Sequence, residues 1–206
     1  MVAVKICGVT STNDALACVE AGADAIGLNF YAGSPRCVSP GVARAIVASV
    51  PASLLTVGVF VDADYEQIAR LQAEVGFRCV QLHGNEPVAL LQRFLPHAYK
   101  ALRVRGASAV SEAARWPGAH LLLDAYVPGV AGGTGASFDW RIAAEIARAR
   151  QVTLAGGLSP DNVAEAVAEV QPFCVDVASG VESAPGKKDH ALVAAFVARA
   201  KGLQTT

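Results

Sequence analysis

The chain has 206 residues, 53% of them hydrophobic and 17% charged, with a formal net charge of −1. That balance excludes a disordered chain and a basic polyanion-binding surface, so no nucleic-acid partner is expected. No apolar run reaches the roughly 18 residues that span a bilayer, and no charged segment leads into a long apolar one. A soluble, cytoplasmic protein with no membrane partner is therefore expected.

Short β-branched runs alternate along the chain with Ala-rich stretches of helical character, which is the pattern of βαβ units around a parallel sheet. Strands are predicted over residues 2–7, 25–30, 54–61, 78–82, 98–104, 120–124, 152–155 and 173–178. Helices are predicted over 13–21, 40–49, 65–75, 87–94, 140–150 and 160–170. Thr12, Ser39 and Ser159 are candidate N-caps, and Pro40 and Pro160 suit the first helical position, where a missing N–H costs nothing. Eight β/α units in one chain of this length predict an α/β protein of a single (β/α)8 TIM-barrel domain over 1–206. An open doubly wound sheet needs fewer strands and a phosphate fingerprint after the first. The turn-rich stretch 126–137 falls between the sixth strand and sixth helix, where a long loop is more often functional than a linker.

In such a barrel, function gathers at the carboxyl ends of the strands. Reading those ends in order gives Cys7, Asn29 with the turn to Arg36, Asp62, Gln81 with His83, Arg103 with Arg105, Asp124, Gly156-Gly157 and Ser179-Gly180. Cys7 passes from Lys5-Ile6 straight into Gly8; the alternative is a thiol packed as a small hydrophobe. Asp124 closes Leu121-Leu122-Leu123, where partial desolvation is expected to raise its pKa and suit it to donate a proton near neutrality. A loop-ordering or capping Asp is the alternative.

The Gly-containing turns at 156–157 and 179–180 leave backbone N–H groups open to an anion after strands seven and eight, the phosphate position of these barrels, although Gly pairs are also ordinary turns. The run 132–135 lacks the third glycine and the strand context of a dinucleotide fingerprint, and 180–187 is too long for a P-loop and lacks its Ser/Thr. Arg36 can pair two N–H groups with a carboxylate, or simply face solvent. Lys5 shares the parity of Cys7, so both point into the barrel or both away, and with the eighth strand beside the first, Asp176 is its candidate partner. The five cysteines (7, 18, 37, 79, 174) and four histidines (83, 97, 120, 190) show no C-x-x-C, H-E-x-x-H or close pair. Neither disulfides nor a metal site are expected.

These segments together resemble the phosphoribosylanthranilate isomerase family. The match runs through Lys5-Ile6-Cys7-Gly8-Val9-Thr10, Ser34-Pro35-Arg36, Gln81-Leu82-His83-Gly84, Leu123-Asp124, Gly132-Gly133-Thr134-Gly135, Ala155-Gly156-Gly157 and Asp176-Val177-Ala178-Ser179-Gly180-Val181-Glu182, in the family's order and at its strand ends. The resemblance implies an Amadori rearrangement of N-(5-phosphoribosyl)anthranilate to the 1-deoxyribulose phosphate, with no metal and no cofactor. By the same resemblance Asp124 is the general acid that protonates the furanose ring oxygen, and Cys7 is the general base that removes the C2 proton from the Schiff base. Arg36 and His83 bind substrate, Arg36 through the anthranilate carboxylate. Gly157, Ser179 and Gly180 hold the phosphate, while Lys5 and Asp176 support. An ordinary thiol is only a few per cent ionised at neutral pH, so the site is expected to stabilise the thiolate, with Lys5 contributing. The loop after Asp124 is expected to close over the site. Many members have Ser where this chain has Ala178.

Two other functions compete. A broader isomerase would also act on the histidine-pathway aminoaldose, but the resemblance puts Asp rather than Cys at the first-strand position of those enzymes. A silent phosphometabolite-binding barrel would need neither base nor acid. A phosphorylated small molecule is the expected partner, and the chain is expected to be a monomer or homodimer.

Overall fold

The computed structural model describes residues 1–104, 106–124 and 140–202. Arg105 and the 126–137 loop, and with them the 132–135 glycine run and the expected closure, lie outside the described residues. Eight parallel strands close in chain order into a barrel. They are β1 (Ala3–Cys7), β2 (Ala25–Asn29), β3 (Leu55–Phe60), β4 (Cys79–Leu82), β5 (Ala98–Arg103), β6 (His120–Asp124), β7 (Gln151–Ala155) and β8 (Cys174–Val177). The helices α1 (Thr12–Glu20), α2 (Pro40–Ser49), α3 (Tyr65–Val75), α4 (Val88–Phe94), α5 (Ser108–Ala114), α6 (Trp140–Ala149), α7 (Val163–Val170) and α8 (His190–Lys201) follow them in turn. No described helix is long and apolar enough to cross a membrane.

The period-2 alternation of strand side chains sorts the residues into two cores. One parity (Val4, Ile6, Ile26, Leu28, Val80, Leu82, Leu121, Leu123, Val152, Leu154, Val175, Val177) joins helix residues such as Ile46, Ile68, Val163 and Phe196 in the main apolar cluster. The other parity faces the barrel axis, where a small cluster of Val57, Cys79, Tyr99, Ala101, Leu122 and Ala155 is sealed off from the first. Lys5 and Cys7, Gly27, Gln81, Asp124, Thr153 and Asp176 carry this inner parity. The interior is therefore partly polar, and its polar residues rise toward the mouth.

Helix starts depart from expectation in three places. Ser11, not Thr12, caps α1 by accepting from the Asp14 N–H. Ser39 caps α2 with Pro40 behind it, as predicted. α7 starts at Val163, because Ser159 and Asn162 bond locally instead: the Ser159 N–H donates to Asn162 Oδ1 and the Asp161 N–H to Ser159 Oγ. Such side-chain turns compete with helix, leaving Pro160 in a turn rather than at a first helical position. Pro87 precedes α4 without joining it.

Candidate active site

Cys7, Arg36, Gln81, His83, Asp124, Gly157, Asp176 and Ser179 line one open cavity at the carboxyl mouth of the barrel. Its floor is ionic. β1 and β8 pair with Lys5 opposite Asp176, and Lys5 Nζ donates to Asp176 Oδ1 at 2.9 Å with both groups buried. Burial pulls the Lys5 ammonium down, but the Asp176 carboxylate and the neighbouring Cys7 together hold it well above its ordinary value. Lys5 is thus a fixed cation under the thiol. Gly27 lies opposite Cys7 on β2, and a Cβ there would lie 2.7 Å from Cys7 Sγ and 3.1 Å from Lys5 Nζ. The hydrogen atom of Gly27 leaves the space that thiol and ammonium occupy.

The expected thiolate stabilisation is outweighed. Burial pushes the Cys7 thiol up, and the Asp176 carboxylate adds to that; Lys5 and Lys188 pull it down, but the balance is a thiol above its ordinary value. A cation beneath the sulfur lowers the cost of ionisation without cancelling the desolvation.

Asp124, at the end of β6, sits three strands from Cys7 around the ring. Its Oδ2 lies 3.2 Å from His83 Nε2. His83 Nδ1 lies 2.9 Å from Gln81 Nε2, and the buried Tyr99 hydroxyl donates to Gln81 Oε1 at 3.0 Å. His83 was expected to bind substrate; it lines the cavity, but its ring is engaged by Asp124 and Gln81.

Arg36 carries a second ionic group. Its Nε and Nη2 donate to Glu182 Oε1 and Oε2 at 2.8 and 2.6 Å, a paired contact that uses two of the five guanidinium N–H groups. The hydrogen bond to Glu182 holds Arg36 above its ordinary value. Burial pushes Glu182 up, and the hydrogen bonds from Arg36 and Lys188 more than reverse it. The buried Lys188 Nζ donates to Glu182 Oε1 at 2.9 Å and to the Ala178 carbonyl at 3.1 Å. Two cations surround one anion, which ties the loop after β8 to Arg36, the member of the group that lines the cavity.

On the far side, Gly156 and Gly157 follow β7 with φ of 91° and 68°, and open space surrounds Gly157 where a side chain would be. Ser179–Val181 forms a short 3-10 turn after β8. Gly180 does not line the cavity; a Cβ there would run into the Leu158 carbonyl, so its lack of a side chain lets the loops after β7 and β8 touch. Among the described residues, no group of three or more His, Cys, Asp or Glu could hold a metal.

The structure thus gathers Cys7, Arg36, His83, Asp124, Gly157 and Ser179, with Lys5 and Asp176 beneath. Sequence reasoning gave no role to Gly27, Tyr99, Glu182 or Lys188. Only Gly27 carried a local signal, since a glycine inside a strand marks a close approach.

A family model described as N-(5'phosphoribosyl)anthranilate (PRA) isomerase matches residues 4–199. An N-(5'-phosphoribosyl)anthranilate isomerase of Magnetococcus marinus is 47% identical over 203 residues, covering 98% of this chain and 97% of the relative. The crystal structure of phosphoribosyl anthranilate isomerase from Thermotoga maritima superposes with a TM-score of 0.89 at 42% identity, covering 98% of this chain and all (100%) of that one. A further crystal structure of such an isomerase, in complex with reduced 1-(o-carboxyphenylamino)-1-deoxyribulose 5-phosphate, matches with a TM-score of 0.86 at 40% identity over 98% of this chain and 100% of that chain.

Proposed function

The chain belongs to the N-(5'-phosphoribosyl)anthranilate isomerase family, and on that premise we propose that Cys7 and Asp124 perform its reaction as general base and general acid. The reaction is the isomerisation of phosphoribosylanthranilate to 1-(o-carboxyphenylamino)-1-deoxyribulose 5-phosphate in tryptophan biosynthesis. One observation carries the residue assignment: a thiol and a carboxyl flank the same cavity, between a guanidinium and two Gly-containing loops. Each end of a substrate bearing a carboxylate and a phosphate finds complementary donors, and the sugar falls between base and acid.

Asp124 donates its proton to the furanose ring oxygen as the C1–O bond breaks, and the anilino nitrogen supplies the electrons that form the C1=N bond. Cys7, as thiolate, then removes the C2 proton, giving an enolamine that relaxes to the 2-ketone. The atoms of substrate and product are the same, so no co-reactant is consumed. Lys5 stabilises the thiolate from below. Arg36 has three N–H groups beyond those given to Glu182, and these hold the anthranilate carboxylate. Gly157 and Ser179 supply backbone N–H groups, and Ser179 its hydroxyl, to the phosphate, while Gly180 lets the two loops that carry them pack together.

The test is loss of anthranilate-type fluorescence when freshly made phosphoribosylanthranilate is added, with the histidine-pathway aminoaldose as control. Rapid loss with an inert control is expected. Comparable turnover of the control would favour the broader isomerase, and binding without turnover would favour a silent barrel.

A further inference from the structure

The side chains behind Asp124 form an ordered chain whose donors and acceptors can be assigned one by one. Tyr99 is only 3% exposed and belongs to the inner apolar cluster with Val57, Cys79, Ala101, Leu122 and Ala155. Its hydroxyl lies 3.0 Å from Gln81 Oε1. An amide oxygen accepts only, so the phenol donates. That orients the amide with Nε2 against His83 Nδ1 at 2.9 Å. An amide nitrogen donates only, so Nδ1 holds a lone pair and the imidazole proton resides on Nε2, facing Asp124 Oδ2 at 3.2 Å. Rotating the amide by half a turn would put its N–H on the phenol oxygen and take from the buried phenol proton its acceptor on Gln81.

The tautomer matters to the acid. An Nε2–H imidazole donates to Oδ2 and leaves the carboxyl able to carry its own proton on the other oxygen. An Nδ1–H imidazole would aim a lone pair at Asp124 and compete for the proton that the ring oxygen needs. We propose that Tyr99 and Gln81 are positioning residues that hold His83 in its Nε2–H tautomer, keeping an N–H rather than a lone pair on Asp124. The catalytic half of this rests on Asp124 being the general acid; the tautomer itself does not.

The test uses the full chain labelled with 15N-histidine, with the His83 signals assigned by their loss in His83→Asn. Multiple-bond 1H–15N spectra at neutral pH are expected to show a single Nε2–H form of His83 in wild type and mixed tautomers in Tyr99→Phe and Gln81→Met. kcat is expected to fall about 10-fold in both variants with KM nearly unchanged, a part of the roughly 100- to 10,000-fold that a general acid contributes. A wild-type His83 protonated on Nδ1 would overturn the proposal. So would variants that keep both the pure Nε2–H form and wild-type kcat. Asp124→Asn, measured alongside, separates the premise: near-normal turnover there refutes the acid assignment whatever the tautomer of His83.

Discussion

Replacing Gly27 by alanine adds one methyl group against both the thiol of Cys7 and the ammonium beneath it. The new Cβ would lie 2.7 Å from Cys7 Sγ and 3.1 Å from Lys5 Nζ, whereas unstrained heavy-atom contacts lie at about 3.5–4.0 Å. The thiol must therefore retreat by roughly 1 Å, and a misplacement of that size costs on the order of 100-fold in rate. That corresponds to about 2.7 kcal/mol in the barrier. The guanidinium and the phosphate loops are untouched, so the loss should fall on kcat, with KM within about twofold. Overpacking of this kind also costs about 1–3 kcal/mol of stability, which urea melts would register. Gly41, in α2 with open space where its side chain would be, is the control: Gly41→Ala should leave both kcat and KM as in wild type. The assay is the fluorescence decay of phosphoribosylanthranilate under saturating and subsaturating conditions. A folded Gly27→Ala enzyme with turnover within about threefold of wild type would refute the reasoning that Gly27 seats the thiol.

Arg36→Met should raise KM far more than it lowers kcat, because a guanidinium–carboxylate contact made in both ground and transition states is uniform binding; a product analogue lacking the carboxylate should bind both forms alike, and unequal binding would count against the clamp. Lys5→Met leaves Asp176 buried without its cation and should cost about 3–5 kcal/mol in a urea melt, much of which Lys5→Met/Asp176→Asn should recover. In that double variant the pull of Lys5 on Cys7 is lost along with the smaller opposing push of Asp176, so the thiol rises further. Cys7 reacts as the thiolate and already sits above its ordinary value, so the limb of kcat/KM in which it titrates reads the change directly. That limb should move to higher pH and the rate at neutral pH fall about tenfold for each pH unit of the move; a limb that stays in place would remove Lys5 from the electrostatics of Cys7.

The barrel and most of the site were legible because both follow short-range rules. Strand parity put Lys5 beside Cys7 and Asp176 within reach, and the strand ends put Asp124 and Gly157 at one mouth. The misses have physical causes. Ser159 reads as a cap from its neighbours, yet the Ser159–Asn162 turn outcompetes the first helical turn. Glu182 and Lys188 look like surface charges after β8, and only the folded loop buries them against Arg36. Tyr99 reads as strand packing until Gln81 is seen to accept its proton. The cation near Cys7 could be inferred from parity, but the extent of desolvation, which sets the sign of the shift, is a property of the whole mouth.

The most direct measurement of the acid–base assignment is the pH profile of kcat/KM for wild type, Cys7→Ser and Asp124→Asn, run in the same buffers. Wild type should show a bell with two limbs. Cys7→Ser should lose the rise with pH and Asp124→Asn the fall with pH in the activity that persists, with turnover down by about 100- to 10,000-fold in each. A full wild-type bell in both variants would mean that neither side chain is a titrating group, and the assignment of Cys7 as base and Asp124 as acid would be wrong.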